Sequence, residues 1–463
     1  MNGTILVIAI IFTLMLAAAP GSAAVKPHAL FSDNAVLQQG MKVPIWGTAD
    51  DGEKVTVKFQ DQAVSTTAKR GRWILWLSPL KAGGPFTMRI NTIELHNILV
   101  GEVWVCSGQS NMEMPLSQSA NAEKTIADSK DSSLRLLTVP IAVTRPKELA
   151  VSWEECAPKA APDFSAVGYY FGRDLRKSLK VPVGLINSSV GGTYAEAWTS
   201  RRTLKADPAF KTILDNPLPA PNRPSCLYNG MIAPLLPYAI RGAIWYQGES
   251  NAGQAYLYRT LFPAMIRDWR ENWGQGDFPF LFLQIAPFGK IESEPVDSMW
   301  AELREAQLLT SQNVPNTAMA VITDFGSETD IHPQQKEPVG VRLAMAARAV
   351  AYGEHIVYSG PVYKSMKIEN ERAVLSFDHV GGGLTAKDGE LKGFTIAGQD
   401  GKFFNAQAEI RGNKVAVWNP KVERPVAVRY GWSDCPVVNL FNKGGLPASP
   451  FRTDDFPMIT APK

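Results

Sequence analysis

An α/β protein built on a parallel, two-sided sheet with β-sandwich domains on either side is the fold class this sequence predicts. Three observations predict it. Residues 25–97 carry short β-branched and aromatic runs at roughly ten-residue spacing, divided by Gly- and Asp-rich turns. Residues 98–352 alternate apolar strands with amphipathic helices. After residue 352 the pattern returns to β, so the expected regions are 25–97, 98–352 and 353–463.

The N-terminus precedes these regions. Residues 5–19 (ILVIAIIFTLMLAAA) are apolar but for Thr13 and lead into Pro20, Gly21 and small residues. The pattern predicts a signal peptide, residues 1–24, cut after Ala23 or Ala24, and hence a secreted or periplasmic protein. The run lacks a preceding Lys or Arg, which leaves a buried N-terminal helix as the alternative. No later run reaches the roughly 18 apolar residues of a membrane span, and no Cys follows the leader to carry a lipid anchor.

KVPIWGTA (42–49), KVTVKFQ (54–60) and RWILWLSPL (72–80) read as strands of a small sandwich. ILVGEVWVCSG (98–108) reads as a buried strand, and 163–180 as a helix with Asp163 and Ser165 as cap candidates. Strands follow at 181–189 and 240–248, then a helix over 256–273 bent near Pro263. A strand at 278–286, a helix at 300–311, a strand at 317–325 and an Ala-rich helix at 338–351 complete the alternation. Residues 365–377, 393–398, 413–420 and 424–432 read as strands of the last β-domain.

Composition narrows the function. With 47 Lys and Arg against 44 Asp and Glu, the net charge of +3 offers no basic excess for a nucleic-acid partner. Hydrophobic residues at 45% supply a packed core and exclude wholesale disorder. The five histidines (His28, His96, His332, His355, His379) include no HExxH or HxxxH spacing, and no metal or other cofactor is expected. Cys106, Cys156, Cys226 and Cys435 match no zinc pattern; one or two bridges, or buried small hydrophobes, remain open.

In open α/β sheets ligands bind beyond the carboxyl ends of the strands. Polar groups gather at those ends here: Ser107 and Ser110 in CSGQSNMEMP, Gly191, Gly192 and Thr193 in NSSVGGTYAEAW, Gln247, Glu249 and Asn251 in WYQGESN, and Asp324, Asp330 and His332 in TDFGSETDIHP. They fit acyl transfer, in which a serine needs a histidine base oriented by a carboxylate, and the oxyanion needs fixed N–H donors. Ser110 supplies a nucleophile and its own N–H, Gly192 an N–H unshielded by a Cβ, the Gln247 amide a third donor, and His332 the base. The GxSxG elbow of α/β-hydrolases is absent, since Met112 stands where the second glycine belongs.

Those segments resemble the SGNH/GDSL hydrolases and, within them, the sialate O-acetylesterase family. The likeness rests on GEVWVCSGQSNMEMP (101–115), INSSVGGTYAEAW (186–198), IWYQGESNAG (244–253) and DIHPQQK (330–336). It extends to LFSDNAVLQQG (30–40), SMWAELREAQ (298–307) and NLFNKGGLPASPFRTD (439–454). It implies an SGNH-type three-layer α/β/α domain that deacetylates sugars, with Ser110, Gly192, Gln247 and His332 in the roles above. The superfamily's Asp-x-x-His becomes Asp330-Ile331-His332 here, with one residue between. Asp330 is therefore the expected orienting acid, Asp324 the reserve, and a Ser–His dyad using a backbone carbonyl the third option.

The expected substrate is an O-acetylated sialic acid, with acetyl-xylan or another hemicellulose, or a non-catalytic carbohydrate-binding role, as alternatives. Asn111, Trp198, Tyr246, Glu249, Asn251 and Arg304 are the candidate substrate contacts, Glu249 bonding loop backbone rather than acting as an acid. Half of Trp104, Trp198, Tyr246 and Trp300 are expected to line the sugar site. Arg241, Arg304 and Arg342 are candidates for a sialate carboxylate.

Overall fold

A computed structural model describes residues 25–462. The expected signal peptide, 1–24, lies outside the described residues, and among these no helix is long and apolar enough to cross a membrane. The fold is mixed α/β: one large mixed sheet with helices, plus further β-sheets at both ends of the chain.

Six parallel strands position the site: β1 (Ile93–Gly108), β2 (Asp131–Thr138), β3 (Val183–Ser189), β4 (Gly242–Tyr246), β5 (Phe280–Leu283) and β6 (Thr317–Ala320). Their order is β2-β3-β1-β4-β5-β6, every pair parallel. The chain leaves β1 for one side and later returns to its other side, so the sheet's switch point lies at the end of β1. The helices are α1 (Ser110–Glu113), α2 (Ala166–Leu179), α3 (Ala255–Trp273), α4 (Met299–Asn313) and α5 (Lys336–Val350). Trp104 and Cys106 of β1 share a core with Phe171 and Leu175 of α2 and Leu343 of α5. Val103 and Val105 face the other way, into a core with Phe262 and Trp269 of α3 and Leu303 of α4. Burial on both faces is why these strands read as unbroken apolar runs.

The N-terminal β-strands do not stand apart from this sheet. β1 passes through residues 97 and 98 without a break, and its first half pairs antiparallel with Gly83–Ile90. Val43–Thr48 and Arg72–Leu77 form a separate sheet with Lys26–Pro27. Sequence patterning marked neither β2 nor Gln62–Thr67 nor Gly83–Ile90 as strands. The single run expected over 365–377 is a hairpin, Val362–Glu369 and Arg372–Asp378, reversing at Asn370 and Glu371, both with positive φ. The four cysteines are separate buried thiols.

Ser165 rather than Asp163 caps α2, its Oγ accepting from the Gly168 N–H at 3.0 Å. The same hydroxyl donates to the Met112 carbonyl at 2.6 Å, fastening α2 to the turn that carries Ser110. α2 and α5 cross closely at Gly340, where a Cβ would stand 2.6 Å from Tyr170 Cβ and 2.8 Å from the Phe171 backbone nitrogen. Gly340→Ala is expected to lose about 1–3 kcal/mol, seen as a lower urea midpoint, because backbone must move to admit the methyl.

Candidate active site

Register brings the strand ends level. Ser107 pairs with Ser188 and Trp245, and Gly108 with Ser189 and Tyr246, so the chain leaves β1, β3 and β4 at one height. Gly108 (φ 142°) lies so close to β4 that a Cβ would meet the Tyr246 carbonyl oxygen at 2.1 Å. Gln109 N–H donates to that oxygen at 2.9 Å, and Gln109 Oε1 accepts from the Gly248 and Ser250 N–H groups at 3.3 and 3.4 Å. On the other side, Glu113 Oε2 accepts the Gly191 N–H at 2.6 Å. The turn is thus pinned to both neighbours. Ser110, the first residue of α1, keeps a backbone N–H with no intrahelical acceptor.

His332 reaches this turn from the loop between β6 and α5. Its Nε2 lies 2.8 Å from Ser110 Oγ. The imidazole is held below its ordinary pKa, first by burial and then by the charge of Lys336, with Asp330 pulling the other way. A neutral imidazole beside a serine hydroxyl is the arrangement of a general base.

Asp330 is used differently from the expectation of an orienting hydrogen bond. Its Oδ1 accepts the His332 backbone N–H at 2.8 Å and stands 4.0 Å from Nδ1, beyond hydrogen-bond reach. Asp324 is committed elsewhere, in a two-pronged pair with Arg342 at 2.6 and 2.7 Å.

The expected oxyanion donors separate. Gly192 (φ 67°) is exposed, sits in the left-handed region with open space around it, and its carbonyl accepts from Asn222 Nδ2 at 3.1 Å. Asn222 Oδ1 takes the Tyr194 N–H at 3.1 Å, so this one side chain braces the Gly192 turn. Gln247 is not presented to Ser110. Its amide nitrogen donates to the Thr193 carbonyl at 3.0 Å and to Asn251 Oδ1 at 2.7 Å, while its oxygen accepts from Tyr258 at 2.9 Å. Both amide hydrogens are thereby used in fixing loops.

Most candidate sugar contacts are scaffold. Trp104, Trp198 and Tyr246 are fully buried, leaving Trp300 as the one of the four aromatics that is part-exposed. Asn251 bridges the Ala195 N–H, Gln247 and Glu196 from a buried position. Arg304 is 0% exposed and donates to four backbone carbonyls, those of Ile285, Ala286, Ser433 and Asp434. Arg241 donates to the Ala351 carbonyl, and Arg342 holds Asp324.

Asn111 and Glu249 are buried under the turn. Asn111 Nδ2 donates to Glu249 Oε1 at 2.8 Å and to the Ile331 carbonyl at 2.9 Å, and Asn111 Oδ1 accepts from Lys336. Burial raises the Glu249 carboxyl pKa, opposed by a backbone hydrogen bond at Glu249, the Asn111 side chain and the charge of Lys336. Lys336, to which sequence reasoning gave no role, closed the DIHPQQK segment; a lysine opening an Ala-rich helix directly after His332 was the available signal. Among the described residues no group of three or more His, Cys, Asp or Glu is arranged to hold a metal.

Residues 100–349 match a family model described as carbohydrate esterase, sialic acid-specific acetylesterase. The chain is 31% identical to the sialate O-acetylesterase of Mus musculus across 88% of its own length and 90% of that protein. To the Homo sapiens sialate O-acetylesterase it is 35% identical, over 72% of each chain. Among solved structures it is similar to a carbohydrate acetylesterase from Xanthomonas citri, with a TM-score of 0.86 and 41% identity, covering 94% of this chain and 100% of that one.

Proposed function

We propose, from the premise that the chain belongs to the family of sialic acid-specific carbohydrate acetylesterases, that Ser110 and His332 remove O-acetyl groups from sialic acids. The protein is a carboxylic ester hydrolase acting on O-acetylated sugars. The observation that carries the residue assignment is the 2.8 Å contact of Ser110 Oγ with His332 Nε2 at the sheet's switch point.

In this reading His332 takes the Ser110 proton as the oxygen attacks the acetyl carbonyl, then returns it to the departing sugar oxygen. Water, activated by the same imidazole, hydrolyses the acetyl-serine. The Ser110 and Gly192 N–H groups hold the oxyanion, while Gln247 keeps the loop that carries Gly192 in place through Thr193. Asp330 braces the histidine's own backbone and favours the imidazolium through its charge, the function an orienting carboxylate serves. Residues 98–352 make up an SGNH-type α/β/α catalytic region, continuous through β1 with the N-terminal β-strands of 25–97 and followed by a β-domain at 353–463, exported after loss of residues 1–24. The two-sided parallel sheet and its switch point support that arrangement.

A second substrate class has its own support. Arg241, Arg304 and Arg342, the candidates for a sialate carboxylate, all spend their guanidinium groups on protein oxygens. A neutral acetylated sugar such as xylan needs no such cation. Acetate release from O-acetylated sialic acid and from acetylated xylan, measured side by side, decides between them. Faster turnover of the sialate is expected; faster turnover of xylan would keep Ser110 and His332 and change the substrate.

The pH dependence has a fixed sign. The base is active when neutral, and its pKa lies below the ordinary histidine value. Activity should therefore rise with pH through an acid limb displaced to lower pH and be level through neutrality, as read from kcat/KM against pH.

A further inference from the structure

Behind the Ser110–His332 pair lies a polar junction closed to water. Lys336 is 1% exposed at the first position of α5, four residues after His332. Its Nζ donates to Asn111 Oδ1 and stands 5.4 Å from the centroid of the Tyr246 ring. Asn111, next to Ser110 in the chain, spends its amide hydrogens on Glu249 and on the carbonyl of Ile331, next to His332. One side chain thus joins the nucleophile's turn, the loop after β4 and the loop of the base.

A buried ammonium is costly, and apolar replacement of such groups often stabilises a protein. Here the charge sits where it has two consequences. Through Asn111 it holds the Ile331 carbonyl, and so the backbone entering His332, against the Ser110 turn. As a nearby cation it also opposes protonation of the imidazole. We propose that Lys336 is a positioning residue that seats His332 on Ser110 through Asn111. This rests on the Ser110–His332 reading.

The groups facing His332 are Asp330 from its own loop, Ser110 from α1 and Lys336 from α5. Lys336 itself faces Glu249, Asp330 and the Tyr246 ring. Burial draws the lysine down to about 7, with Glu249 and Asp330 pulling it back up.

The test is the pH profile of kcat/KM for acetate release by the wild type, Lys336→Met and Lys336→Gln. Both variants lose the charge, so the acid limb should move to higher pH by roughly half a unit or more. Lys336→Met, which also loses the tie to Asn111, should lower kcat by roughly 10–100-fold. Lys336→Gln keeps a donor to Asn111, should retain more of kcat, and carries the test if the Met variant does not fold. A proton NMR titration in the Ser110→Ala background reads the His332 pKa directly, and with five histidines in the chain a His332→Gln spectrum assigns its signal. An undiminished kcat in Lys336→Met, or a loss in Lys336→Gln as large as that in Lys336→Met, overturns the proposal. Acetate release surviving Ser110→Ala would instead sink the underlying catalytic reading, so the two failures are distinct.

Discussion

Ser110→Ala is expected to lower kcat for acetate release by about 10⁴–10⁶-fold while leaving the folded protein intact. Among the described residues the hydroxyl's hydrogen-bond partner is His332 Nε2, and the turn around it is held by other atoms. Gln109 anchors it to β4, Glu113 to the β3 loop, and Ser165 to the start of α2. Removing one part-exposed hydroxyl from so braced a turn should change the unfolding free energy, read from urea titration, by no more than about 0.5 kcal/mol. In the proposed oxyanion hole, residual turnover would come from the backbone N–H groups of residues 110 and 192, which Ser110→Ala leaves in place. A fall of less than tenfold would mean that another oxygen attacks the ester. Ser107 offers no substitute, since it is fully buried and its Oγ touches no partner.

What the sequence disclosed follows from where each signal is local. The second half of β1 is apolar on both faces and stops at a Gly–Gln–Ser turn, so both the strand and the serine proposed as nucleophile were legible. β2 opens with Asp131, Ser132 and Ser133, which read as loop until β3 pairs with it. The hairpin within 362–378 reverses at Asn370 and Glu371, without the Gly or Pro that usually marks such a turn.

At the site, residue types were readable and depth was not. Trp198 follows a strand end just as Gly192 does, yet its ring packs against Trp245 at 6.0 Å, below the surface. Gln247 was legible as an amide at a strand end. Tyr258, 11 residues on, together with Thr193 and Asn251, decides which way that amide faces. Asp330 illustrates a local cause. With one residue between it and His332, its carboxylate closes on the backbone N–H two positions ahead, the turn that aspartate favours, instead of reaching Nδ1.

Arg304→Ala is expected to lower stability by about 3–5 kcal/mol and to leave KM for an O-acetylated sialic acid unchanged in the molecules that remain folded. The guanidinium joins two parts of the chain: Nε and one Nη bond the carbonyls of Ile285 and Ala286 just past β5 at 3.0 and 3.1 Å, and the Nη atoms bond Ser433 and Asp434 at 2.8 and 2.9 Å. Burial opposes the charge, drawing its pKa down to about 10, and this cost is already met in the folded state. Truncation recovers only that cost, while the buried Ile285 and Ala286 carbonyls and the part-buried Ser433 and Asp434 carbonyls lose the guanidinium donor and a void opens between α4 and the C-terminal β-region. The loss therefore exceeds that of a typical single substitution. Urea unfolding gives the first quantity, and KM at a temperature well below the transition gives the second. Had Arg304 bound the sialate carboxylate, KM would rise for that substrate and not for acetylated xylan, with stability little changed. Because its donors already meet carbonyl oxygens in a closed interior, a carboxylate could replace those partners only by breaking the junction that Arg304 holds together.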